Sequence, residues 1–202
     1  TAGNTSIYSA LSLQNTSTSS SASALGANAG VGIDFVIQNA SGASARTATI
    51  QAVAPDQSTL SNVIDLRMQT VDNTGTANTT LISKGATGFL GVNTASPNST
   101  LHASGSVAMA YRAITTLRTL DATDYTIEVT ANTFTVTLPT AVGISGRVYV
   151  ITNSGSGVTT IATTSSQTFV NVTATPTTIT LNQFGTVTVQ SNGTNWIRLT
   201  SL

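Results

Sequence analysis

The sequence predicts an all-β protein, and three observations carry that prediction. Apolar residues recur at period two along most of the chain, the spacing of half-buried strands. Threonine fills about a fifth of the 202 positions, and Thr and Val are β-branched residues that favour extended backbone. The helix formers Glu and Lys occur once each, at Glu128 and Lys84.

Composition narrows the class further. Only 7% of residues are charged, the formal net charge is zero, and 40% are hydrophobic, against roughly 25% charged in ordinary soluble domains. The apolar content and its period argue against a disordered Ser/Thr linker, and four prolines are too few for a mucin-like stalk. With no cysteine, neither a disulfide framework nor a Cys-based metal site is available. No run of about 18 apolar residues predicts a membrane-spanning helix, and no charged n-region with an apolar h-region opens the chain. Opening on Thr1 rather than Met, the sequence reads as a piece of a longer protein with any export signal or anchor upstream.

The elements follow in order. A first strand is expected around Ile7–Leu13, then a small-residue loop from Ser19 to Gly30. Strands are expected at Ile33–Gln38, Thr47–Val53, Val63–Met68 and Thr80–Ser83, with Val63 and Asp65 on the face opposite Ile64, Leu66 and Met68. The connector from Ser106 to Leu120 reads as a short helix or a strand, with strand favoured from Ala113 onward. Seven further strands are expected at Tyr125–Val129, Thr133–Leu138, Arg147–Thr152, Val158–Ala162, Thr177–Leu181, Thr186–Gln190 and Trp196–Leu199. Their spacing is that of a sandwich or barrel. In TFTVTL, Phe134, Val136 and Leu138 share one face and three threonines the other.

Gly88 to His102 reads GFLGVNTASPNSTLH. Through Gly88, Gly91, Val92, Thr94, Pro97, Leu101 and His102 it resembles a segment recurring in phage tail fibres and bacterial surface fibres. Asn93 replaces the usual third glycine of that segment; Asn tolerates left-handed backbone better than other non-glycine residues. Residues 138–149, with the LP-x-A-x-G-x-x-G-R-x-Y pattern, and the terminal SNGTNW (residues 191–196) resemble a small β domain that ends such fibres. Chains combining both modules resemble trimeric fibres, including the mosaic adhesive trimers of predatory bacteria. The resemblance implies an intertwined trimeric β shaft or neck module over residues 1–105 and a small β-sandwich or barrel-like tip over 106–202. It also implies an extracellular location, on a cell surface or a phage tail.

Chemistry is sparse. The seven acids are Asp34, Asp56, Asp65, Asp72, Asp121, Asp124 and Glu128. A glycosidase needs two carboxylates across the scissile bond, and only Asp121, Asp124 and Glu128 cluster; Asp121 and Asp124, just before a strand, read better as loop acids that satisfy backbone donors. His102, the sole histidine, is a poor metal ligand without a partner and reads as a packing or capping residue. No catalytic residue, cofactor or metal is expected. The cations are scattered singly, so no nucleic-acid partner is expected, and no membrane insertion. The candidate ligand site is Trp196 with Asn195 and Arg198, and Tyr149 with Arg147, groups that stack on sugar faces and bond sugar hydroxyls. The competing reading buries Trp196 in the core or a subunit interface. With Ile197 and Leu199 assigned to the core, Trp196 and Arg198 are expected to point outward. The functional expectation is a non-enzymatic homotrimer attaching to a surface glycan or envelope component; the alternative is a purely structural trimerisation or capping segment.

Overall fold

The computed structural model describes residues 30–38, 44–54, 63–71, 76–131 and 133–200. The expected strand at Ile7–Leu13 and nearly all of the 19–30 loop lie outside them. The described chain is all-β, and it divides into two compact units, residues 1–107 and 108–202.

The described residues of the first unit form one six-stranded sheet in chain order: β1 (Gly30–Gln38), β2 (Ser44–Val53), β3 (Asp65–Val71), β4 (Ala77–Ser83), β5 (Leu90–Val92) and β6 (Leu101–Ala103). All neighbours are antiparallel except β5 and β6. Residues facing each other across a ladder share a face. Ile33, Ile50, Met68, Leu81 and Val92 therefore form one row across five strands. Ala52, Leu66, Leu90 and Leu101 belong to the adjacent row on the same side. This side stands bare: Phe35, Leu66 and Leu101 are 52%, 53% and 63% exposed, and Ile33, Ile50, Met68, Leu90 and Val92 are exposed too.

The opposite side holds this unit's buried residues, Val53, Asp65 and Ile82, so Asp65 and Leu66 do face opposite ways. Asp65 accepts from Lys84 Nζ (2.6 Å), the Gly85 amide (3.0 Å) and Arg67 Nη2 (3.4 Å), tying the start of β3 to the turn after β4. The motif from Gly88 to His102 folds over this side. A Cβ on Gly91 would lie 2.6 Å from the Thr94 carbonyl oxygen and 2.8 Å from Ile82 Cγ2, so only glycine fits. Asn93 takes the left-handed conformation (φ 54°) that its glycine-replacing position requires, and its Nδ2 donates to the Ser104 carbonyl at 3.1 Å. His102 Nδ1 accepts from the Asn98 amide at 3.4 Å, a capping contact.

The second unit winds differently. Its strands alternate between two sheets: β7 (Tyr111–Ile114), β9 (Thr126–Val129), β11 (Val148–Asn153), β13 (Phe169–Val170), β15 (Thr186–Ser191) and β16 (Trp196–Arg198) in one, β8 (Arg118–Thr119), β10 (Thr135–Thr137), β12 (Thr159–Ala162) and β14 (Thr178–Leu181) in the other. Neighbours β7, β9 and β11 are parallel, as are β8, β10 and β12. The chain thus coils through three rungs before β14 and β15 return antiparallel. The layers are those of a sandwich, and one core lies between them: Ile127, Val129, Ile151, Phe169, Val187 and Val189 from the larger sheet, Val136, Ile161, Ile179 and Leu181 from the smaller, all buried. The connector is strand from Tyr111, not helix. Phe134, Val136 and Leu138 turn toward the core as their alternation predicts.

Buried polar side chains fasten the corners of the coil. Asn153 Nδ2 donates to the carbonyls of Gly157 (2.8 Å) and Leu181 (3.0 Å) while its Oδ1 accepts from the Gly155 amide at 3.1 Å. The 138–147 corner is held by Gln167 Oε1 on the Ala141 amide (2.9 Å) and by Ser191 Oγ donating to the Ala141 carbonyl (2.7 Å).

Candidate functional site

The expected aromatic platform is a core. Trp196 is fully buried and Tyr149 nearly so; their rings pack with centroids 5.5 Å apart at 42°. Trp196 Nε1 donates to the Pro139 carbonyl at 3.2 Å, and Tyr149 Oη to the Asp121 carbonyl at 2.9 Å. The outward orientation expected for Trp196 is therefore corrected, and so is the use of Trp196 and Tyr149 as a sugar-stacking surface. The physical reason is register. Trp196 pairs with Ser191 and Arg198 with Val189, and Ser191 and Val189 are buried. The alternation of β16 thus turns Trp196 inward, while Leu199, two residues beyond the inner-row Ile197 of the sequence reading, is 52% exposed. Asn195 is committed locally as well: its Oδ1 accepts from the Thr168 amide at 2.9 Å. Arg147 and Arg198 are half-buried in strand-end positions beside this core rather than around an accessible ring.

The charged groups gather at the opposite sheet edges. β7 and β8 are edge strands of their sheets. Arg112 on β7 pairs across to Ile127, and Arg118 on β8 to Val136, both inward-facing neighbours. The two guanidinium groups consequently converge at the open end of the first rung, where Asp124 receives them. Arg112 Nε donates to Asp124 Oδ1 at 2.8 Å; Arg118 donates to Oδ2 from Nε (3.1 Å) and Nη2 (3.0 Å). The Asp121 amide adds a fourth contact at 3.0 Å. The Asp124 side chain is 0% exposed, whereas those of Arg112 and Arg118 are 44% and 26% exposed. A buried carboxylate paired with two half-exposed arginines closes the coil end with polar groups, as terminal repeats require.

The other two acids are also engaged. Asp121 Oδ1 accepts from the Thr123 hydroxyl (2.6 Å) and amide (2.8 Å), and Oδ2 from Arg118 Nη2 at 3.1 Å. The Thr123 contacts, helped by the arginine charges, hold its carboxyl below the usual aspartate range. Glu128 accepts from Ser154 Oγ at 2.6 Å and from the Tyr111 hydroxyl, and these bonds hold it below the usual glutamate range. Tyr111 is correspondingly raised by its bond to Glu128.

Beside the two arginines lies a cleft of about 260 Å³ lined by residues 112–118. The sequence reading weighed Asp121 and Asp124 as loop acids and passed over the arginines six and twelve residues before Asp124. The available signal was charge itself: in a chain with 7% charged residues, residues 112–124 carry two cations and two anions. Among the described residues, no three His, Cys, Asp or Glu side chains gather to hold a metal ion, and no helix is long and apolar enough to cross a membrane. No protein family matches the chain, and no curated protein matches it.

Proposed function

We propose that this chain is a segment of an extracellular homotrimeric fibre that attaches to a target cell by recognising a surface glycan or envelope polymer. The observation that carries the reading is the bare apolar face of the first unit. Contiguous exposed apolar surface on this scale marks an interaction site. Its two central rows, from Ile33 to Val92 and from Ala52 to Leu101, contain no charged residue. An uncharged apolar face is best matched by another of the same kind, which every copy of the chain carries. Three such sheets close a prism around a shared core, and the fibre-like GFLGVNTASPNSTLH segment sits on the sheet that would do so. Light scattering should give three times the 20.5 kDa chain mass; a stable monomer would sink the reading.

Attachment draws its support from the fibre resemblance and from valency. Threefold engagement raises a weak site's avidity by about 10²–10⁴ where geometry permits. The hydrolase alternative has little to work with, since a general acid needs a raised carboxyl pKa and those of Asp121 and Glu128 are lowered. Retention of the trimer on a glycan array is the direct test. A second reading, trimerisation or capping without a ligand, is favoured by the burial of Trp196 and Tyr149; an intact trimer that captures nothing on arrays or cells would select it.

A further inference from the structure

We propose that the cleft between Arg112 and Arg118 binds the carboxylate of an acidic sugar. Arg112 spends its Nε on Asp124, and among the described residues neither of its Nη groups makes a hydrogen bond. These two nitrogens form a planar fork that fits a carboxylate through two parallel charge-assisted hydrogen bonds. The fork is fixed before any ligand arrives. Asp124 is buried and also clamped by Arg118, so little side-chain freedom remains to be lost on binding.

The rest of the cleft suits a sugar ring. Thr115 and Thr116 line it, are exposed and carry hydroxyls that bond to nothing among the described residues. Leu117, 76% exposed, supplies an apolar lip for a ring face. The volume of about 260 Å³ falls below the roughly 300–1,000 Å³ of drug-sized sites, which fits one sugar unit rather than a chain segment. A neutral sugar would leave the Arg112 fork unmatched. Asp121 and Glu128, the partner of Ala113 across the ladder, are not among the lining residues; the Asp121 carboxylate is taken by Thr123 and Arg118 and that of Glu128 by Ser154 and Tyr111.

This inference rests on the attachment reading for its choice of a sugar, and the test separates the two. The full chain is examined by saturation-transfer NMR with methyl α-galacturonate and, as the neutral counterpart, methyl α-galactoside. The galacturonate should bind and the galactoside should not. Arg112→Gln should weaken galacturonate binding by about tenfold or more, the size of one lost charge-assisted bond. Equal response to both sugars, response to neither, or unchanged binding in Arg112→Gln overturns the proposal. If Arg112→Gln fails to fold because Asp124 loses a partner, Thr116→Glu decides: a carboxylate held in the cleft should abolish galacturonate binding, and undiminished binding overturns the assignment. Glycan-array capture without any galacturonate response defeats the cleft and leaves attachment standing. Galacturonate binding without capture by arrays or cells does the reverse.

Discussion

The two units solve the same burial problem in opposite ways. The second folds two sheets onto each other, so Trp196, Tyr149, Phe169 and Ile151 vanish from solvent within one chain. Among its described residues the first has a single layer. Its opposite side holds the buried Ile82 and Val53, while the side carrying the Ile33–Val92 row is exposed. A strand sequence with one apolar face needs a second layer, and under the proposed reading other copies of the chain supply it. On that reading one unit is self-sufficient and the other dependent.

The sharpest way to break this contrast is to separate the units. Residues 108–202 alone should unfold cooperatively on heating, while residues 1–107 alone should associate or aggregate. A monomeric, cooperatively folded 1–107 fragment would abolish the distinction. Next in size is the double variant Ile50→Lys with Met68→Lys in the full chain. Both side chains sit at the centre of the bare face, and two charges per copy buried there would be left unpaired. The assembly should fall to monomers in light scattering while the second unit keeps its melting transition.

Trp196→Ala asks the complementary question of the closed core. Deleting a buried Trp typically costs about 3–5 kcal/mol, so the melting temperature of the second unit should drop sharply with the mass of the assembly unchanged. Loss of assembly at unchanged stability would mean that Trp196 serves an interface after all.

The smallest effect concerns acid. Burial pushes the Asp65 carboxyl up, but the bonds from Lys84 and the Gly85 amide, with the Lys84 charge, hold it on balance below the ordinary aspartate value of 3.8. A depressed folded-state pKa contributes stability that is present above the unfolded value and lost as pH falls through the folded one. Protection against hydrogen exchange at residues 65–71 and 76–85, relative to the intrinsic rate at each pH, should therefore fall below about pH 4. Asp65→Asn should raise exchange at neutral pH and flatten that dependence, with the second unit unaffected.

Much of this contrast was legible in the chain. Period-two alternation located β1 to β4 and most of the second unit's strands, and it put Asp65 opposite Leu66. The left-handed turn at Asn93 followed from the fibre-like motif, in which Asn93 stands in a glycine position, together with the tolerance of Asn for that conformation. What alternation cannot supply is which face is inside when both carry apolar groups. In WIRL, Ile197 and Leu199 look as core-like as Trp196, and only pairing with Ser191 and Val189 settles the choice. Sheet switching was equally hidden, because β9 and β10 have the same local pattern although they belong to different layers. β13, at two residues, is too short for any period. The Arg112–Asp124 contact spans twelve residues and depends on two sheet edges arriving at one end of the coil.

The coil has an evolutionary consequence. Each of β9 to β12 pairs with the strand two places before it, so the connections between rungs cross no other part of the chain's path in a ladder. Exposed corner residues such as Ser165 and Ser166 can change while the pairing of neighbouring rungs persists. A module built this way can diversify its rim rapidly under selection and still inherit an unchanged interior, much as a reel keeps its shape whatever is threaded along its edge.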